Sequence, residues 1–323
     1  MNKQAVIPIV IAALLLAACS QDFADSLPPT SAVSSSVDTG QVSSTTAAAP
    51  TSAAPTTSTA STTTTWLVET PVQSSVEGLT VLYAGHSFGR PFARKLDEVT
   101  RLAEIGGHEQ RVVFRGGENG APQAMWEDPD VQTLIRKQLD DSAVDVVILI
   151  CCSEEFRETA GQRDQEVSDQ AILEIVAYAL ARNPETRFGL AMPWADFPSE
   201  YATSDEHREV VDAAYPRYQQ LAENISEASN GAEVFTFYHG AAVYELRSRF
   251  EQGLIPELTN LIGPKQSSVF TDTKGHAANM AKDAGTLIWL NAIYGINPLD
   301  LPPIEGYAVD VREIAAAALP SSL

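Results

Sequence analysis

Short apolar runs separated by amphipathic stretches recur from Val76 to Pro298, and this alternation restricts the fold more than any other feature of the chain. Leu79–Ala84 is apolar and ends at Gly85, as a buried parallel strand does. Pro91–Leu102 then reads as a helix, with proline near its first turn and Gly106-Gly107 beyond its end. Arg111–Phe114 is a second predicted strand, closing at Gly116-Gly117, and Asp130–Asp140 is a second helix. Val144–Ile150 is the most hydrophobic stretch of this region and the best candidate for the central strand. Helix Gln170–Arg182, strand Arg187–Met192, helix Asp205–Ser229, strand Ala232–Phe237 and helix His276–Tyr294 complete the pattern. Strands separated by helices require right-handed crossovers, which predicts a parallel sheet with helices on both faces, a three-layer α/β/α sandwich.

The first quarter of the chain cannot join that sandwich. From Ser43 to Thr65 every residue is Ser, Thr, Ala or Pro, and no lysine or arginine occurs between Lys3 and Arg90. Such a stretch has too little apolar surface to offset its ordering entropy, so residues 19–75 are expected to form a disordered tether. A flexible coil of that length has an r.m.s. span of roughly 40 Å. Its Ser/Thr content also permits O-glycosylation. Ahead of it, Lys3, the apolar run Ala5–Ala18 and the small residues before Cys19 have the layout of an export signal over residues 1–18. The run is short for a membrane span, which takes roughly 20 residues. Leu16-Ala17-Ala18-Cys19 resembles a bacterial lipobox, which implies cleavage before Cys19 and acylation of that residue. An ordinary signal peptide with an incidental cysteine is the alternative. Under the lipobox reading the chain is exported and held on the outer face of a bacterial membrane through its N-terminal lipid alone. Residues 76–323 then form the folded domain.

Charge narrows the function. The chain has 42 acidic and 21 basic residues, a formal net charge of -21. A nucleic-acid binder needs a basic surface to displace counterions from phosphates, and this chain has the opposite balance. Three cysteines do not make a disulfide scaffold. Cys151-Cys152 has no C-x-x-C or H-x-x-x-H partner, so no metal site is expected. The pair is read as buried small hydrophobes, with a vicinal disulfide or a pocket lining as alternatives. A nucleotide site is not expected either, because no Gly-Lys-[Ser/Thr] loop or G-x-G-x-x-G follows the first strand.

The chemistry-bearing segment is Gly85-His86-Ser87-Phe88-Gly89, where the first predicted strand gives way to the first helix. Ligands of open parallel sheets bind beyond the carboxyl ends of the strands, so Ser87 lies on the productive edge. The amides opening the following helix face the same space. Helix capping is the other use of a serine at that point. As a nucleophile, Ser87 needs a base, because a neutral hydroxyl attacks poorly. The pentapeptide fits G-x-S-x-G, the nucleophile elbow of α/β-hydrolases, but that elbow follows a central strand with several strands laid down before it.

A serine after the first strand, with Phe270-Thr271-Asp272-Thr273-Lys274-Gly275-His276 near the chain end, resembles the SGNH/GDSL hydrolases. The resemblance covers most of Val76 to Pro298 and rests in detail on its two ends. It implies a flavodoxin-like parallel sheet and a carboxylic-ester hydrolase that needs no cofactor, with Ser87 as nucleophile, His276 as base and then acid, and Asp272 as the carboxylate orienting the imidazole. The family spaces these last two as Asp-x-x-His, and this chain has one more residue between them, so Gly275 has to relax the turn. The family's oxyanion donors are a glycine amide and an asparagine side chain. Gly117 fits the first. No asparagine occurs in Cys151-Cys152-Ser153-Glu154-Glu155 after the third strand, which leaves either Asn119 as a substitute or a hole of two amides. One missing donor costs about 3–4 kcal/mol of transition-state stabilisation.

Of the remaining histidines, His86 adjoins Ser87 but points away from it, and His108 and His207 lie in polar stretches expected to be exposed. His239, after the fifth strand, is the reserve base. Trp194 follows the fourth strand on the same edge and offers either a platform for a sugar or acyl group or an aromatic packed beneath a loop. The expected substrate is a neutral acylated or acetylated glycan or a small lipid ester. The competing expectation is a non-catalytic domain on the same fold that binds envelope glycans or a protein.

Overall fold

The computed structural model describes residues 76–140, 144–150 and 170–320. The expected signal segment, Cys19, the expected tether and Cys151-Cys152 lie outside the described residues. Five strands, β1 (Thr80–Gly85), β2 (Glu109–Phe114), β3 (Val146–Ile150), β4 (Arg187–Met192) and β5 (Val234–Tyr238), form one sheet in the order β2-β1-β3-β4-β5. Every neighbouring pair is parallel. This is the flavodoxin-like order, and its topological switch point lies between β1 and β3.

Side chains alternate between the two faces of the sheet. Val81 and Tyr83 of β1, with Val146, Ile148 and Ile150 of β3, join one apolar cluster; Leu82, Ala84, Val147 and Leu149 join the other. The first cluster is covered by α1 (Arg90–Leu102), α7 (Gly240–Glu251), α8 (Asn279–Tyr294) and α9 (Val311–Ala318). The second is covered by α2 (Pro122–Glu127), α3 (Pro129–Asp140), α4 (170–180) and α6 (Tyr215–Ala228). Both faces are therefore buried, which is why β1 and β3 read as unbroken apolar runs. α8 is buried on nearly all sides, from Met280 to Ile293, because α1, α7 and α9 surround it. Such a helix shows no amphipathic stripe.

Several details depart from the sequence expectation, α7 and α9 among them, since neither was anticipated. The single helix predicted over Asp205–Ser229 is two, α5 (Ser204–Asp212) and α6, interrupted at Ala213-Ala214. Pro216 occupies the first turn of α6, where its missing N–H costs nothing; inside a continuous helix it would break a hydrogen bond. A separate two-stranded parallel pair, β6 (Asn260–Ile262) with β7 (Ser268–Phe270), was not anticipated. β7 leads directly into the Asp272–His276 turn, which an antiparallel bridge between Phe270 and Ala277 closes.

Candidate active site

Ser87 sits in the turn between β1 and α1, at the carboxyl edge of the sheet beside the switch point. The turn is held by its own backbone, with the Gly89 and Arg90 amides donating to His86 O at 3.3 and 3.2 Å. Tyr83 Oη donates to the same carbonyl at 2.6 Å. From the other end of the domain, the Asp272–His276 turn reaches the same point. His276 Nε2 lies 2.8 Å from Ser87 Oγ, and His276 Nδ1 lies 2.7 Å from Asp272 Oδ2. The carboxylate accepts the Nδ1 proton, so the neutral imidazole presents a bare Nε2 to the serine hydroxyl.

The extra residue between Asp272 and His276 is absorbed at Gly275, whose φ of +96° lies in the left-handed region. With that turn, Asp272 Oδ1 accepts the amides of Gly275 at 3.0 Å and His276 at 3.2 Å while Oδ2 holds the imidazole. Partial burial pushes the Asp272 carboxyl up, but these hydrogen bonds outweigh it and hold the group below the usual carboxylate range. Asp272 and His276 remain partly open to solvent, with side chains 46% and 34% exposed.

The loop after β2 packs against the nucleophile turn. Arg115 N donates to Gly85 O at 3.2 Å, and a Cβ on Gly120 would come within 2.5 Å of His86 Cβ. Gly117, at φ +56°, opens the short 3₁₀ turn Gly117–Gly120 on this loop. The Ser87 and Gly117 amides have no backbone hydrogen bond among the described residues. Asn119 is exposed on the same turn.

The other histidines are accounted for by packing. Half-buried His86 accepts the Phe88 amide on Nδ1 at 3.3 Å, and burial, with help from Lys274 and His276, lowers its pKa to about 4. His239 is fully buried against Phe92 and Trp289, and its Nε2–H donates to Phe88 O at 3.1 Å. Burial lowers its pKa to about 3. It braces the Phe88 peptide, while His276 is the histidine hydrogen-bonded to Ser87, so the reserve base expected at His239 is not what the structure brings to the serine. His207 and His108 correct the expectation of exposure. His207 is fully buried between Tyr201 and Tyr244 with Nε2 on Ala195 O at 2.9 Å. His108 packs beneath the amino end of the sheet, its Nδ1 2.7 Å from Tyr294 Oη.

Trp194 is a second correction. Its ring is 1% exposed, stacked on Phe88 with centroids 4.7 Å apart, so its face is not free to carry a substrate. The indole N–H donates to Gly275 O at 2.8 Å. Arg247, which sequence reasoning did not single out, is buried behind this loop and donates to Pro198 O, Tyr201 O and Glu251 Oε1. Its Glu251 partner is an ordinary i,i+4 helix pair, and the two carbonyls that explain its burial lie about 46–49 positions away, where no local signal marks them.

No protein-family description matches the chain. No curated protein matches it either. Among solved structures, it is similar to a DUF4886 family protein from Bacteroides uniformis, at 16% identity over 75% of this chain and 93% of that one, with a TM-score of 0.47. It is also similar to a GDSL-like lipase from Bacteroides thetaiotaomicron (14% identity, 69% and 90% of the two chains, TM-score 0.36). The corresponding values for a Clostridium thermocellum family 3 carbohydrate esterase are 13%, 66%, 94% and 0.36. What the site can do follows from its own side chains.

Proposed function

We propose that the protein is a serine hydrolase of the SGNH type that cleaves carboxylic esters. The observation that carries this reading is the unbroken chain Ser87 Oγ–His276 Nε2 and His276 Nδ1–Asp272 Oδ2, at 2.8 and 2.7 Å. Ser87 Oγ attacks the ester carbonyl as its proton passes to His276 Nε2. The imidazolium is stabilised by Asp272, and the oxyanion is held by the Ser87 and Gly117 amides, with Asn119 as a further donor from the same loop. Collapse of the tetrahedral intermediate expels the alcohol, which takes the proton from Nε2. Water, activated by the same imidazole, then releases the acid and restores the serine.

The substrate is a neutral acylated or acetylated glycan or a small lipid ester, taken at the cell envelope. The acidic charge balance disfavours anionic polymers, and the lipobox-like Leu16-Ala17-Ala18-Cys19 supports an extracytoplasmic position through lipidation of Cys19. Turnover of p-nitrophenyl acetate and release of acetate from an acetylated glycan test the activity. Wild-type protein hydrolyses both and Ser87→Ala neither; a Ser87→Ala protein as active as wild type would overturn the assignment. Cys19→Ser should free the full chain from membranes, and continued tight retention would contradict the anchor.

A further inference from the structure

The two halves of the site lie 189 residues apart in sequence, and their side chains meet at a single hydrogen-bond distance. Something must hold two separate turns in register. Trp194, in the loop after β4, touches both. Its indole stacks on Phe88, the residue after Ser87, with centroids 4.7 Å apart and planes 12° from parallel. Phe88 in turn meets the His276 ring edge-on, at 5.3 Å and 89°. Trp194 also reaches the opposite turn through its Nε1–H, which donates to Gly275 O at 2.8 Å.

That carbonyl belongs to the peptide linking Gly275 to His276. The N–H of the same peptide donates to Asp272 Oδ1 at 3.2 Å. One peptide plane is therefore gripped at both ends, by the indole on its oxygen and by the carboxylate on its nitrogen. The other oxygen of that carboxylate holds His276 Nδ1. Gly275, at φ +96°, lacks the side chain that would otherwise restrict this plane. The loop carrying Trp194 closes it from outside: Phe197 N donates to Lys274 O at 3.1 Å, and Pro198 Cδ lies 2.8 Å from where a Cβ on Gly275 would stand. Hydrogen bonds in series through one peptide also polarise each other.

We infer that Trp194 is a positioning residue: through the Gly275–His276 peptide it sets the orientation of Asp272, and hence of His276 toward Ser87. It lies beneath the turn and does not touch substrate. The inference rests on the ester-hydrolase reading for its kinetic consequence but not for its geometric one, and the test separates the two.

Two replacements are compared with wild type, Trp194→Phe and an isostere in which benzothiophene replaces the indole, keeping its shape and removing the N–H. On p-nitrophenyl acetate, counted per folded molecule, both should lower kcat by about tenfold to a hundredfold, with KM within about threefold of wild type. The pH dependence of kcat/KM should shift as well. Wild-type kcat and pH profile in both variants, with only thermal stability lowered, would overturn the inference. The proton shared by His276 Nδ1 and Asp272 is followed by NMR in the same three proteins without substrate. Its low-field resonance should move upfield or broaden in the isostere, and an unchanged resonance would also overturn the inference. If wild type hydrolyses no ester, the proposed function falls, and the resonance alone decides the role of Trp194.

Discussion

At the scale of single residues, the site depends on which nitrogen of His276 carries the proton. Asp272 settles this by accepting from Nδ1. Asparagine at position 272 could present an N–H to Nδ1 and so favour the opposite tautomer, leaving Nε2 protonated and unable to take the Ser87 proton. Asp272→Asn should therefore lower kcat by about 10⁴-fold while leaving KM nearly unchanged, as steady-state kinetics on an activated ester would show. Loss within tenfold would mean that another group orients the imidazole. That Ser87, Asp272 and His276 come together was anticipated from the resemblance of their two short segments to a known family, although the Asp272–His276 spacing is one residue wider than that family's. The sequence left the surroundings of Trp194, His207 and His239 undetermined for one common reason. Trp194 and His239 follow strand ends and His207 lies in α5 within a polar stretch, and whether such residues are buried depends on what folds over them. For Trp194 the cover is the 194–198 loop, its own N–H already committed to Gly275 O.

At the scale of elements, the side of the site proposed to hold the oxyanion is built by one loop leaning on another. The Gly117–Gly120 turn fits against His86 because Gly120 has no side chain; a Cβ there would lie 2.6 Å from both Arg115 O and His86 Cα. Both obstacles are backbone, so Gly120→Ala must displace the loop. We expect kcat to fall by about 10- to 10³-fold while circular dichroism stays that of wild type. Wild-type kcat in Gly120→Ala would show that this loop has no part in the reaction. β1 and β3 were readable because burial on both faces leaves no polar alternation. α7 was missed because it begins at Gly240, immediately after β5 and His239, where a glycine reads as a stop. α9 was missed because it follows a proline-rich stretch that reads as a tail, yet its Val311, Ile314 and Ala315 are fully buried and belong to the same core as α8. The break between α5 and α6 could have been inferred from Pro216 alone.

At the scale of the whole molecule, the domain carries buried neutral histidines that make it sensitive to acid. Burial holds the pKa of His207 at about 4 and that of His239 at about 3, against an ordinary value near 6.5. Below pH 6.5 the unfolded chain takes up protons that the folded one refuses. The stability these groups contribute is thus complete above pH 6.5 and is lost as pH falls toward 4 for His207 and 3 for His239. Within that window each histidine costs about 1.4 kcal/mol per pH unit. Calorimetry should show the Tm of His207→Gln declining less steeply than that of wild type between pH 6.5 and 4; parallel curves would mean that His207 takes a proton without unfolding.

The proposed chemistry requires the two ends of the folded domain to meet and activate one alcohol. Its most direct measurement is the intact mass of the protein after exposure to a fluorophosphonate, followed by peptide mapping. One adduct is expected, on the peptide holding Ser87, formed by wild type and lost in both Ser87→Ala and His276→Ala. A correctly folded wild-type protein that takes no label, or equal labelling of His276→Ala, would contradict it.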